Sequence, residues 1–121
     1  MESKELALQL AKLLDDKKGQ DIKVLETAEL TSLADYFVLC TGTSTTQIKA
    51  LSDYCQKELK DLGELPHHVE GHRGGIWVLL DYSSVVVHLF NEEAREFYDL
   101  ERLWKDATEV DLSGVLTPNG K

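Results

Sequence analysis

The apolar run YFVLCTG at residues 36–42 restricts the possible folds more strongly than any other part of the chain. It is almost continuous and is bounded by Asp35 and Gly42, which predicts a central strand buried on both faces. The residues that follow, Ser44 to Gln47, have the form of a capping box, in which two side chains satisfy free backbone donors at a helix start. This strand followed by a helix resembles a right-handed crossover unit, which is typical of α/β proteins.

The flanking sequence predicts further elements by the same criteria. Leucines spaced three and four residues apart predict a helix over residues 3–17, and Gly19 would end it. The helix that starts at Ser44 has a similar apolar stripe and would end at Gly63. Asn91 is suited to cap a last helix. Apolar runs bounded by turn residues predict strands at residues 22–30, 67–70, 76–80 and 85–90.

This order of elements predicts the fold class. It corresponds to an α/β protein with a mixed sheet of four or five strands and packed helices. We expect residues 1–107 to form one domain, which is long enough to bury a core without metal or disulfide support. From Thr108 onward the periodicity fades while glycine and proline recur, so residues 108–121 are expected to form a loose C-terminal tail.

Large aromatic side chains are concentrated in residues 75–106, a span that includes both tryptophans. A stripe along the last helix would normally face a core: Phe97, Leu100 and Trp104. Trp77 and Tyr98 are better candidates for exposure, because amphipathic aromatic residues favour interfaces. His88 could be a core histidine or part of a surface patch with Trp77. Because no nucleophile–base pair accompanies these rings, the segment favours a binding surface over an active site.

The charge of the chain limits its partners. Asp and Glu number 22 against 13 Lys and Arg, for a formal net charge of -9. Such a surface repels phosphate backbones and suits a basic protein partner, although acidity can also serve solubility alone. The N-terminal residues lack the apolar core of a signal peptide, and no apolar run approaches the roughly 20 residues that span a bilayer. Cys40 and Cys55 form no redox or zinc motif, so we expect buried thiols in a cytoplasmic protein.

No set of side chains forms a convincing catalytic or ligand-binding motif. Gly42-Thr43-Ser44 lies where α/β folds often bind phosphate, but it completes neither GxGxxG nor a P-loop. Three loop histidines could meet a zinc ion but lack cysteine or HExxH partners: His67, His68 and His72. Carboxylates near the last helix could bind magnesium, yet the helix dipole explains their position: Glu92, Glu93 and Glu96. We therefore predict no catalytic residues, no cofactor and no metal.

Five sequence blocks, in this order and at this spacing, resemble the ribosomal silencing factor family, also called RsfS or Iojap-like. They are ADYFVLCTGTS at residues 34–44, Glu70-Gly71, WVLLD at 77–81, VVVHLF at 85–90 and FYDLERLW at 97–104. The resemblance extends to about residue 106 and implies a topology related to nucleotidyltransferases without their catalytic carboxylates. It departs from the family at Tyr82-Ser83-Ser84, where relatives often carry glycine.

The resemblance also implies a function and a partner. Members of this family bind the large ribosomal subunit through ribosomal protein uL-fourteen, block joining of the small subunit and lower translation when nutrients are short. They are also described as homodimers. Two alternatives stay open, a factor that assembles the large subunit and, less favoured, a nucleotidyltransferase-like enzyme. Neither a membrane nor a specific nucleic-acid sequence is an expected partner.

Matching the family blocks to this chain gives a set of expected contact residues. The partner-binding residues would be Trp77, His88, Tyr98, Leu100, Glu101 and Trp104, and the polar residues that support them would be Asp81 and Arg95. Which of these side chains meet the ribosome, a second copy or the core is left open by the motifs.

Overall fold

A computed structural model describes residues 1–117 of the chain as one mixed sheet with helices on both faces. The elements in chain order are α1 (Ser3–Asp16), β1 (Gln20–Glu26), β2 (Tyr36–Thr41), α2 (Thr45–Asp61), β3 (His68–Glu70), β4 (Trp77–Asp81), β5 (Val85–Phe90), α3 (Glu92–Tyr98), α4 (Leu100–Leu103) and β6 (Thr108–Glu109). The strands lie in the order β3-β4-β5-β2-β1-β6. The predicted α/β class with a mixed sheet is confirmed.

Strand β2 is the centre of the sheet. Every one of its residues is buried, which confirms the strand predicted from the apolar run. It pairs in parallel with β5 and antiparallel with β1, and β4 adds to β5 in antiparallel fashion. The parallel pair requires a long connection, which α2, β3 and β4 provide.

The main core lies between one face of the sheet and the two long helices. Alternate strand residues such as Val38, Leu80 and Val87 are fully buried against leucines of α1 and α2. Burial of these side chains is the largest favourable contribution to folding, at about 1.5–3 kcal/mol for each fully buried large aliphatic residue. The opposite face carries a second, smaller cluster that includes Leu39 and Phe90.

The ends of the two long helices follow the local sequence. Ser44 caps α2 by accepting a hydrogen bond from the Gln47 N–H at 3.0 Å. The Gln47 side chain accepts from the Thr43 N–H instead of the Ser44 N–H, so the predicted capping box is only half formed. After α1, the Gly19 N–H reaches back to the Leu14 carbonyl at 2.8 Å. A side chain at Gly19 would collide with the sulfur of Cys40, so this turn requires glycine.

The predicted strand number and the predicted loose tail are corrected by the residues after Thr108. Thr108–Glu109 pair with β1 as a sixth strand of the described sheet. Leu112 is buried in the main core, and Thr117 donates two hydrogen bonds to Asp15 at 2.8 Å. Apolar residues in this segment are too widely spaced to show a period, yet they cover the edge of the core. Residues 118–121 of the predicted tail lie outside the described part, and the domain division stays a prediction.

The predicted last helix is also corrected, because it is two short helices. Asp99 separates α3 from α4 with a left-handed backbone, φ 48° and ψ 53°. The break rotates the two halves relative to each other, so a stripe counted along one continuous helix no longer shares a face. Phe97 is 79% exposed, whereas Leu100 and Trp104 are partly buried against the second cluster.

Candidate protein-binding surface

The second face of the sheet is covered by much less structure than the first. Among the described residues, α3, α4, the turn after them and Ala34 of the loop between β1 and β2 pack against this face. Strand alternation directs Trp77 and Leu79 of β4, and Val86 and His88 of β5, to this side. His88 is buried, whereas Trp77, Leu79 and Val86 are only partly buried. This part of the sheet is therefore partly open to solvent.

Aromatic rings form a continuous group on this open face, which we name the aromatic surface: Phe37, Trp77, His88, Phe97, Tyr98 and Trp104. Tyr98 lies against Trp77 with ring centres 4.3 Å apart, and Phe97 meets Tyr98 edge-on at 5.0 Å. Trp77 lies 5.8 Å from His88. Phe37 then joins His88, at 5.5 Å, to Trp104, at 5.2 Å. Contacts at these distances hold aromatic side chains in fixed orientations.

Several side chains of this region are exposed more than apolar residues usually are. Tyr98 is 50% exposed, Leu103 69% and Phe97 79%. Trp77 and Leu79 are half-buried beside them. A contiguous apolar patch of this kind on a soluble protein marks an interaction site more often than it occurs without a role.

The Trp77 and His88 side chains are joined by a hydrogen bond. The indole Nε1–H of Trp77 donates to Nδ1 of His88 at 3.0 Å. Because indole nitrogen can only donate, Nδ1 must be unprotonated, and a neutral His88 carries its hydrogen on Nε2. Burial lowers the pKa of His88 from 6.5 to about 4. His88 is thus both a buried histidine and part of the patch with Trp77, which resolves the two readings left open by its spacing.

We expect the stability of the protein to depend on His88 as the pH falls. Its pKa is lower when folded than when unfolded, so the unfolded chain binds the proton more readily between these two values. The stabilising effect is complete above about pH 6.5 and is lost as the pH falls towards about 4. Urea unfolding at several pH values should show this slope in the unchanged protein and a smaller one in His88→Gln. The exposed His68→Gln variant is the control, and equal slopes in all three proteins would contradict the assignment.

Glu101 of α4 belongs to a network of ion pairs. Its two carboxylate oxygens accept from Arg95 Nε at 3.0 Å and from Lys23 Nζ at 2.8 Å. The hydrogen bond from Arg95 lowers the pKa of Glu101 to about 2. Glu101 is therefore occupied by partners within the protein.

Asp81 lies at the end of β4, where it shapes the turn to β5. Its Oδ1 accepts a hydrogen bond from the Ser83 N–H at 2.7 Å. Ser83 has a positive φ of 75°, the conformation in which glycine is favoured, so a serine at this turn costs backbone strain.

The structure thus brings only part of the expected set together. Trp77, His88 and Tyr98 are in direct contact, and Trp104 joins them through Phe37. Leu100 packs below them, while Arg95 and Glu101 lie in the ion-pair network. Further surface residues were not assigned from the sequence: Leu79, Val86, Phe97 and Leu103. The alternation of β4 and β5 was a usable signal for Leu79 and Val86, whereas Phe97 and Leu103 became exposed through the helix break.

The phosphate-site candidate at Gly42-Thr43-Ser44 has a structural role in the described residues. Gly42 precedes the cap of α2, and a side chain there would meet Ile48 at 2.6 Å. Among residues 1–117, no group of three or more histidines, cysteines or carboxylates is arranged to hold a metal ion. In the same part of the chain, no helix has the length and apolar character needed to cross a membrane.

Comparisons with known proteins agree with the resemblance in the sequence. The family model "Ribosomal silencing factor during starvation" matches residues 1–121. Ribosomal silencing factor RsfS of Halalkalibacterium halodurans is 35% identical over 117 residues, covering 97% of this chain and 100% of that protein. A mouse protein named "Mitochondrial assembly of ribosomal large subunit protein 1" is 36% identical over 98 residues, covering 78% of this chain and 43% of its own length.

A solved structure agrees as well. A crystal structure of a Chromobacterium violaceum protein superposes with a TM-score of 0.85 at 39% identity, covering 98% of both chains. The family match, the identities and the fold all lead to the same assignment. The chain belongs to the ribosomal silencing factor family.

Proposed function

We propose that this protein binds the large ribosomal subunit, through ribosomal protein uL-fourteen, and blocks joining of the small subunit. The effect would be lower translation when nutrients are limiting. The observation that carries the proposal is the aromatic surface, where rings such as Tyr98 are exposed but held in place. The family name supports a regulatory role at the ribosome.

The mechanism would be steric. Aromatic anchors that lose their water on binding would set the lifetime of the complex, because such residues dominate the energy of protein interfaces. Carboxylates of α3 and of the turn after it line a pocket together with Arg95 and Lys23, and they would attract a basic ribosomal protein: Glu92, Glu96 and Asp99. The net charge of -9 would speed the encounter at low salt. The bound protein would then occupy space that the small subunit needs.

Two further properties belong to the proposal. The resemblance implies a homodimer, in which the same patch of both copies would meet around a two-fold axis. It also implies action in the cytoplasm, where bacterial ribosomes assemble and work. Sedimentation equilibrium of the purified chain would report the dimer directly, and a single monomeric species would remove it from the proposal.

The proposal is tested by sucrose gradients with purified ribosomal subunits. We expect the protein to co-sediment with large subunits and to reduce the fraction of joined ribosomes when small subunits are added. Binding should weaken as salt is raised, because charge steers the association. Absence of binding to large subunits at low salt would overturn the proposal. Binding without any effect on joining would overturn the steric mechanism.

A role in assembly of the large subunit is the second candidate, favoured by the name of the mouse relative. Depletion in growing cells separates the two. Incomplete large subunits would accumulate if the protein assists assembly, whereas complete subunits and excess joining under starvation would accompany silencing. An enzyme of nucleotidyltransferase type would instead bind ATP with magnesium in calorimetry.

A further inference from the structure

The exposed ring of Tyr98 is held by few contacts of its own. Tyr98 is the last residue of α3, and its ring lies between Trp77 and Phe97. No side-chain hydrogen bond of Tyr98 occurs within the described residues. The placement of this ring therefore depends on the backbone at the end of α3, where the chain turns at Asp99.

The turn at Asp99 has a conformation that needs support from elsewhere. Its φ of 48° is left-handed, which costs energy for a residue with a side chain, although aspartate tolerates it better than most. Such residues persist where surrounding contacts determine the backbone. Besides backbone hydrogen bonds, such as the one from the Asp99 N–H to the Arg95 carbonyl, an ionic contact crosses this break: Arg95 of α3 donates to Glu101 of α4 at 3.0 Å.

Both partners of that bond are anchored to the sheet. Arg95 is only 8% exposed, and its Nη1 donates to the Asp21 carbonyl at 2.7 Å and to Thr41 Oγ1 at 2.8 Å. Asp21 lies where the register of β1 shifts and has a positive φ of 47°. The Asp21 carbonyl that accepts from Arg95 thus lies at an irregular position of β1. The α3 side of the break is thereby tied to β1 and β2.

The α4 side of the break has an anchor of its own, Lys23. Its ammonium donates to the second oxygen of Glu101 at 2.8 Å, joining β1 to α4 across 78 positions of sequence. Arg95 already occupies the first oxygen, so Glu101 is held between a cation from each side. Two separate bonds to one carboxylate limit its rotation and therefore the path of α4 relative to α3.

We infer that Lys23 is a positioning residue for Tyr98, acting through Glu101 on the helix break. Lys23 lies on β1 and is absent from the aromatic surface. Its role is to keep the Tyr98 ring against Trp77, in the orientation that meets a partner. This inference rests on the proposed function for its effect on binding, but the effect on the ring pair is independent of any ribosome.

The inference is tested with three variants of the 121-residue chain. Lys23→Met keeps the aliphatic stem and removes the ammonium, while Lys23→Arg restores a donor of the same charge. Lys60→Met removes one positive charge from α2, which packs on the other face of the sheet. The readouts are the nuclear Overhauser signal between the rings of Trp77 and Tyr98, the affinity for purified large subunits, and the urea unfolding midpoint.

We expect Lys23→Met to weaken the ring-to-ring signal and to lower affinity about threefold, the scale of a partly exposed ion pair. Lys23→Arg should restore both, and Lys60→Met should change neither. An unchanged signal in Lys23→Met would overturn the inference, and a weakened signal with unchanged affinity would overturn its part that concerns binding. If the unchanged protein fails to bind large subunits, the proposed function is lost, and the ring signal alone still decides whether Lys23 positions Tyr98.

Discussion

Replacing Tyr98 by glutamate should weaken binding to the large ribosomal subunit about 30-fold or more, equivalent to about 2 kcal/mol. The ring is half exposed and lies against Trp77 at 4.3 Å, so it is available as an anchor for a partner. The substitution removes the apolar contact area and places a charge where water must leave on binding. Affinity is measured by co-sedimentation with purified large subunits at one fixed salt concentration.

A matched control separates the loss of an anchor from the addition of charge. Leu62→Glu also adds one negative charge at an exposed apolar position, at the end of α2. Leu62 lies outside the aromatic surface, so Leu62→Glu should leave the affinity for large subunits unchanged. Both variants should unfold near the urea midpoint of the unchanged protein. A folded Tyr98→Glu variant with normal affinity would remove Tyr98 from the binding surface.

Replacing Arg95 by methionine should lower the free energy of unfolding by about 2–4 kcal/mol. Its guanidinium is buried and donates to three groups: the Asp21 carbonyl, Thr41 Oγ1 and Glu101 Oε1. Removal leaves the buried Thr41 hydroxyl and the Asp21 carbonyl without this donor and leaves Glu101 with Lys23 alone, which costs more than the bonds themselves contributed. Urea unfolding monitored by far-UV circular dichroism gives the difference.

Arg102 is exposed on α4, and Arg102→Met is the control. It removes the same charge without removing buried hydrogen bonds. We expect its effect to stay within about 0.5 kcal/mol, the usual range of surface substitutions. Combining Arg95→Met with Thr41→Val should produce less than the sum of the two single effects, because both remove the same bond. A loss below about 0.5 kcal/mol in Arg95→Met would show that the network contributes little to stability.

The elements with a strong local pattern were predictable. The strand at Tyr36–Thr41 and the helix after Ser44 follow from residues close together in sequence, and both were found within one or two positions. The strand at Val85–Phe90 was found as predicted. Hydrophobic periodicity and capping act over one or two turns of chain, so a single sequence records them directly.

The candidate site was predictable in part. The sequence placed Trp77, His88 and Tyr98 in one set of expected contact residues. In the fold, the Trp77 ring contacts both of the other two rings. Glu101 was expected as a contact residue, yet its carboxylate is held by Arg95 and Lys23. The function of each of these residues in binding stays a prediction.

The sequence by itself determined the α/β class, the buried central strand and the concentration of aromatic residues in residues 75–106. Tertiary structure decided the break at Asp99, the sixth strand at Thr108–Glu109 and the burial of Arg95. The physical reason is the distance along the chain between the groups involved. Arg95 bonds to Asp21 across 74 positions, and β6 pairs with β1, so neither contact leaves a local pattern. Such contacts exist only once the sheet has assembled and brought these segments together.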